Sequence, residues 1–180
     1  VYLKGGTIHE AYGGSNTLGN IVRGTTVDVT DSNTDCPLNV GKVYGAGKNA
    51  GMEGDANVVL GCQPNVVIDE VYGGAESADI DGNVELTVTS GHYKKVFGGN
   101  KTSGVIKCSI RLNIEESKDC GTPLIIDQLY GCGYDAFYSV YGYYKEGTVW
   151  KPRTAADYNN LTDDQKTAEH LPYADPELHD

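Results

Sequence analysis

The sequence predicts an all-β fold: a parallel β-solenoid of about five irregular coils, followed by a short, partly helical C-terminal segment. Three observations carry that prediction. A motif of the form apolar-x-x-apolar-Tyr/Phe-Gly-small recurs along residues 8–143. Between its copies, apolar and polar residues alternate. No segment with helical periodicity precedes about residue 154. A repeat of this length means stacked supersecondary units, and period two with β-branched residues means strands with one buried face.

The motif copies are Ile8–Gly14, Val40–Ala46, Ile68–Gly74, Tyr93–Gly99, Ile126–Cys132 and Phe137–Tyr143. Their aromatic positions are Tyr12, Tyr44, Tyr72, Phe97, Tyr130 and Tyr141, at intervals of 32, 28, 25, 33 and 11 residues. The short last interval reads as a degenerate terminal unit, as the end of a stack requires. Alternating strands lie between copies: Val27 and Val29, then Val84, Leu86 and Val88, then nine residues from Ile106 to Ile114. Asn57–Leu60 is a weaker, continuously apolar version. Each unit therefore holds two or three short strands joined by Gly-, Asn-, Asp- and Ser-rich turns. No crossover helix intervenes, so the units stack at ~4.8 Å. The Gly pairs after the aromatic are expected at corners that need φ > 0.

The residue two before the aromatic runs Glu10, Lys42, Glu70, Lys95, Gln128. In a parallel stack these alternating charges sit above one another and attract. The ungapped match of Val1–Gly14 to Leu86–Gly99 places Val1–Lys4 in an alternating strand. The chain then begins in mid-coil, as expected of a fragment of a longer repeat protein. Residues 1–150 form the solenoid in this reading. Residues 151–180 are an acidic cap or a linker, both open. The segment 154–180 holds seven acids against one Lys166. Thr162-Asp163-Asp164-Gln165 has capping-box spacing, so one or two short helices are expected near 155–160 and 163–170.

Composition narrows the function. The 180 residues include 24 Gly and 13 Tyr, with a formal charge of −11. That charge excludes a nucleic-acid partner, which needs a cationic footprint. No apolar run is long enough for a membrane helix. Five Cys (Cys36, Cys62, Cys108, Cys120, Cys132) are odd in number and lack paired CxxC spacing. They read as buried or semi-buried thiols, with a disulfide framework the alternative, because a chain of this size builds its own core and does not need one. His9, His92, His170 and His179 lack metal spacing and read as solvated.

Asp79-Ile80-Asp81-Gly82-Asn83 resembles part of a calcium loop but lacks the terminal Glu. It reads as an ordinary turn, with Asp79, Asp81 and Asn83 the oxygen ligands if metal bound. Asp69 and Asp127 share a repeat position with Lys94 between them in coil order, a pattern a carbohydrate-active enzyme could use. A solvated strand face is the plainer reading. Thr25, Thr26, Thr30, Thr87 and Thr89 do not form an ice-binding ladder, since Lys107, Ser109 and Arg111 break it. An outward Tyr row would suit sugar stacking and an inward one would be core. The pattern leaves this open and favours core or corner packing.

The Val-Tyr-Gly-Gly motif after an alternating strand resembles large, Gly-rich, adhesin-like surface or secreted proteins of gut Bacteroidetes, over about residues 1–143. The resemblance implies a right-handed parallel β-helix and an exported, cell-surface or secreted location, with no assigned activity. Gly45-Ala46 and Gly131-Cys132 depart from its second Gly. The expected function is a non-catalytic structural or adhesive module, with a host or dietary glycan or another surface protein as partner. The competing expectation is a carbohydrate-active β-helix enzyme or its accessory domain. No catalytic, cofactor-binding or metal-binding residue is assigned, and no cofactor is expected.

Overall fold

A computed structural model of the chain describes residues 1–30, 38–62, 67–136, 143–146, 149–152, 156–157, 160–162 and 165, the side chains of 143–152 excepted. In chain order the strands are β1 (Gly6–Tyr12), β2 (Thr25–Val29), β3 (Leu38–Tyr44), β4 (Ala56–Leu60), β5 (Val67–Tyr72), β6 (Val84–Val88), β7 (Gly91–Phe97), β8 (Ile110–Ile114), β9 (Leu124–Tyr130), β10 (Tyr143–Glu146) and β11 (Val149–Pro152). The odd strands β1-β3-β5-β7-β9 form one parallel sheet and the even strands β2-β4-β6-β8 another. A third column of single bridges joins Ile21, Met52, Ile80 and Ile106. One coil thus runs from an odd strand through a bridge to an even strand. The chain makes four complete turns and starts a fifth, the predicted β-solenoid.

The alternation dictates the core. Val27, Val58, Leu86 and Leu112 are in register, as are Val29, Leu60, Val88 and Ile114. Apart from the exposed Ile114 at the end of its column, these residues point inward to meet Val43, Val71, Val96, Val40, Ile68 and Tyr93 from the odd sheet. Burying each such side chain contributes about 1.5–3 kcal/mol. Rung-to-rung polar ties close the corners. Asn100, buried after its Gly pair, accepts from Ala75 N–H at 2.7 Å and donates to the carbonyls of Ala78 at 2.9 Å and Ser103 at 3.2 Å. Val1–Leu3 lies beside β2, with Leu3 N–H donating to the Asp28 carbonyl at 2.9 Å, the placement that the internal match implies.

Four details correct the sequence reading. The alternation of 106–114 is not one strand: β8 begins at Ile110, while Ile106 sits in the bridge column. Lys107–Ser109 turn the corner between them, tied back by the Lys107–Asp81 ion pair at 2.6 Å and by Ser109 to Asn83.

Among the described residues the motif glycines do not adopt positive φ, whereas Gly6, Gly19, Gly24, Gly91, Gly104 and Gly121 do. The first motif Gly is needed because adjacent rungs approach too closely for a side chain. A Cβ on Gly45 would lie 2.0 Å from the Gly73 carbonyl oxygen, and one on Gly73 would lie 2.4 Å from that of Gly98.

Cys62 and Cys120 are not thiols but a disulfide closing a separation of 58 residues, from the corner after β4 to the 3-10 turn at Lys118–Cys120. Cys108 is a buried thiol that donates to the Asp81 carbonyl at 3.0 Å, and Cys132 is an exposed thiol.

Beyond the solenoid the chain forms an antiparallel β10–β11 hairpin, which periodicity did not reveal. Further on, Thr162 and Gln165 make the reciprocal capping-box pair, at 2.9 and 3.2 Å. The readings placed on Cys36, Tyr141, His170, His179 and most of the expected 163–170 helix lie outside the described residues.

Candidate functional site

Three polar surfaces compete as the site, and the aromatic row decides between them. Tyr12, Tyr44, Tyr72, Phe97 and Tyr130 stack face to face, with centroids 4.5–5.0 Å apart and planes within 7° of parallel. The spacing is that of the rungs themselves. Tyr44, Tyr72 and Phe97 are fully buried. Ala11, Val43, Val71 and Val96, each just before a repeat aromatic, enter the main core, while the aromatics lie on the opposite face of the same sheet, with Tyr12, Tyr44, Tyr72 and Phe97 in a cluster of their own. That resolves how two consecutive apolar positions are both buried. Tyr44, Tyr72 and Phe97 make the middle of the row a second core, with Tyr12 half-buried and Tyr130 45% exposed at its ends.

The alternating column lies alongside it. Lys42 pairs with Glu70 at 3.4 Å and Glu10 at 4.0 Å, and Lys101 reaches Glu70 at 3.8 Å and the Tyr44 hydroxyl at 3.1 Å. Lys48 joins Glu10 and Glu76, and the Tyr12 hydroxyl donates to Glu76. Burial, reinforced by these carboxylates, raises the Tyr12, Tyr44 and Tyr72 hydroxyls well above the ordinary phenol range. Burial alone would raise Glu76, but the Tyr12 hydrogen bond and Lys48 and Lys101 outweigh it and hold the carboxyl low. Burial and then the neighbouring Lys42 lower Lys101. Glu10, Lys42, Lys48, Glu70, Glu76 and Lys101 each reach an opposite charge, so the strip ties rungs together.

The second surface contains the predicted acidic pair. Asp69, Lys94 and Asp127 do align across β5, β7 and β9, given the register Glu70↔Lys95↔Gln128. Lys94 stands between the two acids and pairs with Asp69 at 2.6 Å. His92, read as solvated, instead contacts Asp127 at 3.0 Å through Nε2. Sequence spacing missed this partner because the two residues lie one rung apart and 35 positions apart. The calcium-like turn is likewise spent on its neighbours. Asp79 accepts from Val105 N–H at 2.8 Å, Asp81 pairs with Lys107, and Asn83 accepts from Ser109. Among the described residues no three His, Cys, Asp or Glu are grouped to hold a metal, and no helix is long and apolar enough to cross a membrane.

The third surface is the outer face of β4, β6 and β8. Asp55, Asn57, Asn83, Val84, Glu85, Ser109 and Arg111 line a groove of about 340 Å³ there. Strand alternation turns Asn57, Glu85 and Arg111 outward in one register column, while Val58, Leu86 and Leu112 face the core. Asp55 accepts from Asn83 N–H at 2.6 Å and from its amide at 3.2 Å, and Ser109 donates to Asn83 at 2.6 Å. Asn113 donates to Glu85 at 2.8 Å. Arg111 is exposed, and its side chain engages no group among the described residues. The sequence reading touched this face only through Asn83 in the calcium-like turn and through Ser109 and Arg111, which break a Thr ladder. The available signal was the out-facing polar column Thr26-Asn57-Glu85-Arg111, visible once the strands are aligned.

Comparison with protein families, curated proteins and solved structures finds no match to this chain.

Proposed function

We propose that this chain is a non-catalytic structural and adhesive module of an exported surface protein. It serves as a rigid spacer whose outer face contacts a glycan or another surface protein. The observation that carries this reading is the use made of the carboxylates. Asp55, Asp69, Asp79, Asp81, Asp127, Glu10 and Glu70 each engage a group on an adjacent rung. Carboxylates bound this way brace a stack; a hydrolytic pair keeps one acid and one base facing a common cleft. The Cys62–Cys120 disulfide supports export, because such bonds form and persist in oxidising compartments. The likeness to adhesin-like surface proteins supports the same location.

The test is incubation of the chain with a panel of polysaccharides, followed by assay of new reducing ends and unsaturated products. The reading predicts no turnover. Reproducible cleavage abolished by Asp69→Asn or Asp127→Asn would establish the carbohydrate-active enzyme instead.

A further inference from the structure

We propose that the groove on the outer face of β4, β6 and β8 binds a neutral oligosaccharide, held at adjacent hydroxyls by Glu85 and Arg111. The inference rests on the contact-module reading and names its ligand class. A hydroxyl both donates and accepts, so a surface built for neighbouring hydroxyls sets an acceptor beside a donor. Glu85 and Arg111 are in register on β6 and β8, about 4.8 Å apart by rung spacing. Among the described residues they form no ion pair, and no group engages the donors of Arg111. Glu85, which lines the groove, accepts from Asn113 through Oε1, and among the described residues no group engages its Oε2.

The flanking groups are fixed in advance. Asn83 is held between Asp55 and Ser109, and Asn57 donates to the Thr25 carbonyl at 3.3 Å. A pre-ordered lining lowers the entropy lost on binding. Two carboxylates against one guanidinium, in a chain of charge −11, repel carboxylated or sulfated glycans. A volume of about 340 Å³ is at the small end of ligand sites, about 300–1,000 Å³, so the groove takes a short stretch of chain. No aromatic side chain lines it, and binding at one site is weak.

The experiment is an NMR titration of the 15N-labelled chain with cellohexaose, xylohexaose, mannohexaose and hexagalacturonate. At least one neutral hexasaccharide shifts amides on β4, β6 and β8. Arg111→Ala weakens that binding about tenfold, Arg111→Lys restores part of it, and hexagalacturonate binds more weakly than the neutral probe. No shift on this face with any neutral probe, or a preference for hexagalacturonate, overturns the inference. Shifts confined to the Asp69–Lys94–Asp127 face overturn it while leaving the contact module standing. Shortened products in the titration overturn the contact module itself.

Discussion

Replacing Tyr72 by Ala removes the central ring of the aromatic ladder. Tyr72 is 1% exposed, with Tyr44 at 5.0 Å on one side and Phe97 at 4.9 Å on the other. Truncating a buried aromatic to Ala costs about 3–5 kcal/mol, cavity included. Two stacked neighbours, each worth about 0.5–1.5 kcal/mol, place Tyr72→Ala in the upper half of that range. Tyr130 is 45% exposed and ends the described stack against Phe97. Its truncation leaves no closed cavity, and about 1–2 kcal/mol is expected. Tyr72→Phe separates packing from the hydroxyl, whose bond to Glu70 at 3.2 Å contributes about 1 kcal/mol. Guanidinium unfolding followed by far-UV circular dichroism gives all three values. A Tyr72→Ala cost no larger than that of Tyr130→Ala would refute the internal ladder.

Three further outcomes are expected. Replacing Cys62 and Cys120 together by Ser releases a 58-residue loop, which costs about 4 kcal/mol by loop entropy and lowers the thermal midpoint by about 10 °C. The Cys62–Cys120 linked peptide should be found by mass spectrometry of the oxidised chain. Gly45→Ala should cost about 1–3 kcal/mol through collision with the next rung, whereas Gly131→Ala, with nothing within 4 Å of the added Cβ, should be neutral; parallel thermal melts distinguish them. The lowered carboxyl of Glu76 contributes stability above the ordinary value of 4.5, and this is lost as pH falls through its folded value. Glu76→Gln should therefore be less stable than the parent at pH 7, with the difference shrinking toward pH 3 in denaturant melts.

The strands and their stacking were legible in the sequence because one-sided burial writes itself as period two and the stack repeats it. The alternating Glu10-Lys42-Glu70-Lys95 column was legible for the same reason. What escaped was set by contacts between rungs. Ile106 keeps the alternation of β8 although a corner separates them, since both ends of that corner bury an apolar residue. The Cys62–Cys120 bond and the His92–Asp127 contact join positions 58 and 35 apart, which no local pattern marks. The motif glycines were recognised, but their reason was misjudged. Gly13, Gly45, Gly73 and Gly98 meet a carbonyl of the next rung, and single-strand reasoning cannot see that approach. Asn100 looks like one more loop Asn until the fold buries it against three backbone groups. The groove escaped because its residues are ordinary polar ones, each unremarkable until the strands are aligned.

Where the repeat aromatics point decides which face of this molecule is free to make contacts, and spectrophotometric titration of the phenols tests it most directly. Burial raises the hydroxyls of Tyr12, Tyr44, Tyr72 and Tyr93 above the ordinary value of 10.0. Their neutral forms therefore stabilise the fold, and that contribution falls away as pH rises above about 10. The expected result is that at least these four of the 13 Tyr ionise only in a late step that coincides with loss of the far-UV signal. Ionisation of all 13 in a single transition near pH 10, with the fold still intact, would place the row on the surface and contradict the account.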